Sequence, residues 1–255
     1  MSNLITYELP LNECVRSFLR LENLFFQKKY FSQFEEEPAR RSELCSVLDI
    51  LSLAKRSDFK AELTREINRI INVLSPLLES PDVDHKRLEK TIFELKDLIA
   101  QFSLIQHKIG QKTSDLELLK SLTQRNSLSS GPCSFDLPAY HHWLNRPASH
   151  LREEINEWYN DLNLVEHTIQ QLLQLIRNSA LSTAQQALSG YYQADLELSR
   201  APQLIRISLH KSCEYYAEIS GGKHHFGVQF MEPNDFDRSQ QTNKRVDFRL
   251  TICQL

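Results

Sequence analysis

Glycine is scarce in this chain, 6 in 255 residues, and with only 9 prolines the sequence is neither turn-dense nor of disordered composition. No glycine-rich phosphate loop can be assembled. GGKHH at Gly221 reads as a hairpin turn with a basic tip, not as a Walker motif. No apolar run approaches the ~20 residues that span a bilayer. The N-terminus MSNLITYELP lacks the charged and apolar regions of a secretory leader. Cys14, Cys45, Cys133, Cys213 and Cys253 are widely scattered, with no CxxC, and read as reduced thiols of a cytoplasmic protein. A formal net charge of -3 argues against a global pull on nucleic acid and leaves only local basic patches to consider.

The residues present are those of a globular protein: 41% are hydrophobic and 25% charged. Helical spacing dominates to about residue 180. One helix is predicted from Asn12 to Tyr30, with Asn12 as its cap and Val15, Phe18 and Phe25 on its apolar face. A second spans Arg40 to Lys55. Leu63, Ile67, Ile70, Leu74 and Leu77, then Leu88, Ile92, Leu95, Ile99 and Phe102, form two seams joined by the turn SPDVD, an antiparallel helical hairpin. Further helices are expected from Ser114 to Arg125, around Tyr140 to Leu144, and along Leu151 to Ile176.

Alternation with period two then takes over. Ile205, Ile207 and Leu209, Phe226, Val228 and Phe230, and Val246, Phe248, Leu250 and Ile252 each line one side of a strand, as in an antiparallel meander with one apolar face. That face is expected to pack on the helices or on a second copy. Leu4 to Leu9 is predicted to join the sheet as an extra strand. The class is therefore α+β: a helical domain over 10–180, a small polar linker over 181–189, and an antiparallel β domain from 1–9 and 190–255.

Reactive side chains cluster in GPCSFDLPAYHHWL, residues 131–144. Cys133 with His141 or His142 offers a nucleophile and a base, the outline of a hydrolase or metal enzyme. No strand–turn–helix elbow surrounds it, and adjacent histidines such as His141-His142 and His224-His225 point apart, so each pair gives a metal only one ligand. The structural account is a plug: Phe135, Leu137, Tyr140 and Trp143 as four apolar anchors, Asp136 placed to cap a short helix, and the histidines turned outward. The remaining signal is basic. Arg16 and Arg20 share a helix face with no acid between them, and Lys55-Arg56, Lys120, Arg125, Lys223 and Lys244-Arg245 lie at helix ends and loops. They suit either ordinary surface decoration or a groove for a carboxylate-bearing peptide, which arginine grips bidentately. A nucleic-acid binder using the same basic face is a further alternative.

YELPLNECVRSFLRLENL, GPCSFDLPAYHHWL, EISGGKHHFGVQFM and KRVDFRLTIC together resemble the cell division protein ZapD family, a likeness that runs from Tyr7 to Cys253. The resemblance implies a helical and a β domain, a symmetric homodimer, no catalysis and no cofactor. It implies a cytoplasmic protein at the mid-cell division site. Its partner would be the carboxy-terminal tail of FtsZ, the tubulin-like GTPase of the division ring, whose filaments it would cross-link and bundle without nucleic acid or membrane insertion. Carried over by position, the implied tail-binding residues are Arg16, Arg20, Arg56, His141 and Lys223. Where the family pattern is arginine-rich, SDLELLKSL keeps only Lys120, with Arg125 beyond it.

Overall fold

A computed structural model describes residues 3–56, 58–126, 132–197, 201–222, 224–234 and 238–255. The chain divides into two compact units, residues 17–171 and residues 1–16 with 172–255.

In the first unit the helices are α1 (Glu13–Phe31), α2 (Glu37–Ala54), α3 (Phe59–Leu74), α4 (His85–Leu104), α5 (Gln111–Ser114), α6 (Glu117–Asn126), α7 (Pro138–Leu144) and α8 (Ala148–Arg177), the ends of α1 and α8 belonging to the other unit. Asp84 accepts from the Arg87 N–H at 3.1 Å and so caps α4. The hairpin α3–α4 buries Leu63, Ile67, Ile70 and Leu74 against Leu88, Ile92, Leu95 and Phe102, as the spacing predicts. Leu77 departs from that seam. Pro76 turns the chain into a 3-10 helix (Ser75–Glu79), and the leucine is left exposed. Leu98 takes the buried position beside Leu95 that Ile99 was expected to hold.

Polar contacts pin the remaining helices to one another. Phe25 meets Tyr159 edge-on at 6.5 Å, joining α1 to α8. Trp143 of α7 stacks on Trp158 of α8 at 5.7 Å and donates its indole N–H to Glu154 at 2.7 Å. Asn126 donates to Asp49 at 2.8 Å, fixing the end of α6 on α2. Lys28 lies 3.8 Å from Glu43 and over the Tyr159 ring. Burial raises the Glu43 carboxyl above its ordinary value, although Lys28 and Arg152 pull it down. Folding therefore takes up protons at Glu43, and its contribution to stability falls as pH rises from the ordinary carboxylate value through the raised one. Glu43→Gln is expected to raise the urea midpoint at neutral pH and to lose that advantage in acid, where both side chains are neutral. Unfolding curves at the two pH values check it.

The second unit is not a meander. Its strands are β1 (Leu4–Pro10), β2 (Thr183–Ala187), β3 (Tyr191–Asp195), β4 (Pro202–His210), β5 (Tyr216–Gly221), β6 (His225–Glu232), β7 (Gln240–Gln241) and β8 (Val246–Gln254). They form two antiparallel sheets, ordered β1-β4-β8-β2 and β3-β6-β5, with β7 also on β6. The N-terminal strand joins as expected, Tyr7 opposite Ile207 and Glu8 opposite Arg206. The apolar faces of the two sheets bury each other: Ile205, Ile207, Phe248 and Leu250 from one share a core with Phe226, Val228 and Phe230 from the other. Phe230 and Phe248 sit 5.1 Å apart across it. That removes the expected need for this face to cover itself with helices or a second copy.

The stretch 181–189, read as a linker, is corrected by β2 and the turn after it. Ser189 and Gly190 both have positive φ, 50° and 66°, the signature of a type I′ hairpin. A Cβ on Gly190 would come 2.1 Å from the Thr242 carbonyl oxygen, so only glycine fits. Glu8 then closes the unit's polar side. It accepts from Arg177 Nε at 2.9 Å and a terminal nitrogen at 2.8 Å, and from Arg206 Nε at 2.9 Å.

Candidate functional site

The segment with two histidines folds largely as a plug. Tyr140, Trp143 and Leu144 are buried, and Arg41 lies over the Tyr140 ring at 5.2 Å while donating to Ser134 at 2.6 Å. Burial pushes the Tyr140 hydroxyl up to about 12, against the pull of Arg41. Two expectations fail here. Phe135 is not an anchor but 83% exposed, because the turn at Cys133–Asp136 points it outward. Asp136 does not cap α7, whose N-cap is Leu137 with Pro138 in the first turn. His141 and His142 are exposed on the outer side of α7, and Cys133 is half-buried in the turn. Among the described residues no group of three or more His, Cys, Asp or Glu side chains is placed to hold a metal ion.

The basic residues fare differently from one another. Arg16 is not bare: its guanidinium donates to Glu13 at 3.1 Å, one turn back on α1, and reaches the Pro10 carbonyl at 3.4 Å. Arg20 is exposed one turn further on, with no side-chain partner among the described residues. Arg56, just past the end of α2, lies over the Phe59 ring at 5.8 Å, 3.6 Å from Glu62, and donates to the Ser17 hydroxyl at 3.4 Å. Ser17 stands three residues before Arg20 on the same helix, so this contact brings Arg56 to the neighbourhood of Arg20. The cationic pair is thus built from two helices and a ring that is itself fully buried.

Beside it, α2 and α6 enclose a groove of about 240 Å³. Leu48 and Leu51 form its floor, Lys55 and Lys120 line it from opposite helices, and Thr123 adds a hydroxyl. Lys120 rests 3.5 Å from Asp115, an exposed pair worth about 0.2 to 1 kcal/mol. The Arg56–Glu62 pair is similarly half-exposed, so both bases can exchange their internal acid for a carboxylate from outside at small cost. Arg125 lies in the last turn of α6 and, among the described residues, reaches only the Ser121 carbonyl, at 3.5 Å. Lys223 lies outside the described residues. Lys55, one of the basic residues the sequence offers at helix ends, falls in the groove because the spacing Leu48, Leu51, Ser52, Lys55 sets it on the same side of α2 as the two leucines.

Chemically, this is an apolar-floored groove with flexible lysines and, next to it, two arginine forks, suited to a peptide that carries carboxylates and a few apolar side chains. The family model for ZapD, described as a cell division protein, matches residues 19–229. The chain belongs to the ZapD family of cell division proteins. The ZapD of Methylococcus capsulatus is 35% identical over 255 residues, covering all of both chains. Those of Azoarcus sp. and Nitrosomonas europaea are each 31% identical, with 99% and 98% of this chain covered and 100% and 95% of theirs. Membership in the ZapD family gives the protein a role in cell division. No helix among the described residues is long and apolar enough to cross a membrane.

Proposed function

We propose that this protein is a non-catalytic cross-linker that binds the carboxy-terminal tail of FtsZ and, as a homodimer, bundles FtsZ filaments at the cytoplasmic division site. The observation that carries the reading is the contact of Arg56 with Ser17, three residues before the exposed Arg20 on α1, next to a groove lined by Lys55 and Lys120. Any carboxy-terminal tail ends in a carboxylate, and an arginine fork holds that group with two parallel hydrogen bonds. Leu48 and Leu51 give the rest of the peptide an apolar floor. His141, exposed on α7, and Arg125, in the last turn of α6, are further basic residues of the same unit. A site of this kind needs only a Kd of order 10⁻⁶ M, about -8 kcal/mol. Two such sites on one dimer, facing filaments that carry many tails, then bind by avidity while each contact stays reversible.

The test is removal of the tail from the partner. Full-length FtsZ is expected to co-pellet with this protein in bundles. FtsZ lacking its carboxy-terminal tail is expected to polymerise yet leave this protein in the supernatant. Pelleting that persists without the tail contradicts the reading, and pelleting driven by any polyanion, nucleic acid included, shows that the face is a general anion binder.

A further inference from the structure

The sheet β1-β4-β8-β2 turns one side to the shared core of its unit, and the other side carries a concavity of about 510 Å³. The register lays that outer side out in rows. Thr6, Ser208, Arg249 and Ala184 stand opposite one another across the four strands. The row on one side of them pairs Leu4 with His210 and Asp247 with Gln186. The row on the other side runs Glu8, Arg206, Thr251. Alternation along each strand sets all of these on one face. Both cross-strand neighbours of Arg249 are small, a serine and an alanine, so the middle row dips around its guanidinium.

The charges of this face do not balance. Arg177 and Arg206 share one carboxylate, Glu8, and Arg245 lies 3.7 Å from Asp247. Arg249 is exposed and has no side-chain partner among the described residues. Four guanidinium groups therefore meet two carboxylates, an excess of two positive charges. The neutral groups beside Arg249 are donors as well. The Thr6 and Ser208 hydroxyls bond to each other at 2.8 Å, so one proton lies between them and the other is left to donate. The Ser212 N–H donates to His210 Nδ1 at 3.3 Å, which puts the proton of the neutral ring on Nε2. Asp247 is held by Gln186, whose amide donates to it at 2.6 Å, and by Arg245.

We infer that this concavity is a phosphate site, formed by Arg249, the Thr6–Ser208 hydroxyl pair and His210, for inorganic phosphate or a small phosphomonoester. A phosphate carries about -1.5 to -2 charges at neutral pH, which matches the excess on the face. Its oxygens are tetrahedral, and the donors come to them from three strands, β1, β4 and β8. A carboxylate offers two oxygens in one plane, which the fork of Arg249 fills alone. The site belongs to the β unit and does not rest on the peptide groove of the helical unit. An exposed guanidinium is screened by water, so the affinity is of order 10⁻³ M.

The experiment is titration of inorganic phosphate into the isotope-labelled full chain at neutral pH and fixed ionic strength, followed by amide and arginine side-chain chemical shifts. Saturable shifts are expected at Thr6, Ala184, Ser208 and Arg249. Arg249→Gln is expected to weaken binding at least ~tenfold, and Ser208→Ala about fivefold, with circular dichroism showing both variants folded. Glycerol 3-phosphate distinguishes the two sources: tighter binding than inorganic phosphate assigns a phosphomonoester, and equal binding assigns the free ion. Acetate that binds as tightly as phosphate overturns the assignment. So do shifts scattered over other basic residues, or an affinity that Arg249→Gln and Ser208→Ala both leave unchanged.

Discussion

Reversing Arg20 and Arg56 to glutamate is expected to abolish co-pelleting with FtsZ and to weaken binding of its tail peptide at least ~100-fold. Two charge-assisted contacts of about 1.5 to 3 kcal/mol each are lost, and repulsion replaces them. The fold is expected to survive. Arg20 is exposed, and the Arg56–Glu62 pair, at 3.6 Å with the arginine 45% exposed, belongs to the class worth under ~1 kcal/mol. Lysine at both positions is a sharper probe than glutamate. It keeps the charge and loses the fork, so an intermediate loss is expected if the tail carboxylate is gripped bidentately. Full activity of the lysine pair means that the site reads charge alone. Full activity of the glutamate pair means that the site is elsewhere. Circular dichroism and unfolding curves of each variant separate lost binding from lost structure.

The second large effect is one of stability. Glu8→Ala is expected to destabilise the β unit by about 2 to 4 kcal/mol, read as a lower urea midpoint for that unit. The carboxylate stands between Arg177 and Arg206, and the three side chains are only 19%, 23% and 28% exposed. Removing the acid leaves two guanidinium groups facing each other with little water to screen them. The bidentate Arg177 contact also ties the last turn of α8 to β1, the edge strand of its sheet. Partial exposure keeps the figure below the 3 to 5 kcal/mol of a fully buried pair broken on one side. Replacing all three by apolar residues of similar volume is expected to restore most of the loss, because the cost lies in two like charges held close together rather than in an absent attraction. An unchanged midpoint for Glu8→Ala contradicts the account of this cluster.

The contrast between what was legible and what was not follows from these same residues. Helices announce themselves over long windows: the apolar seams at Leu63 to Leu74 and Leu88 to Phe102 repeat often enough to fix both arms of the hairpin. The strands β4, β6 and β8 were visible because one face of each is apolar at every second position. β2 was not, since Thr183–Ala187 is an edge strand of small and polar residues whose only marker is the Ser189-Gly190 turn. Alternation also cannot say which strand pairs with which. Consecutive apolar strands read as a meander, while the register pairs β4 with β8 and β1 and sends β5 to another sheet. Phe135 was misread for a related reason: near a turn, hydrophobicity does not give direction.

For the candidate site, sequence supplied the residue types but not their neighbours. Arg16 and Arg20 looked equivalent at a four-residue step, yet Glu13 engages the first and nothing among the described residues engages the second. An i,i+3 acid was present in the sequence and is the signal that separates them. The meeting of Arg56 with Ser17, and of Lys55 with Lys120, depends on how α1, α2 and α6 pack, which no local pattern encodes.

The central claim is most directly tested by titrating a labelled peptide of the FtsZ tail into the full-length chain at low and at high salt, beside the same titration with Arg20 and Arg56 both reversed. The account predicts one peptide per chain, bound in the micromolar range, weakened by salt and lost on reversal. Binding indifferent to both salt and the two arginines contradicts it.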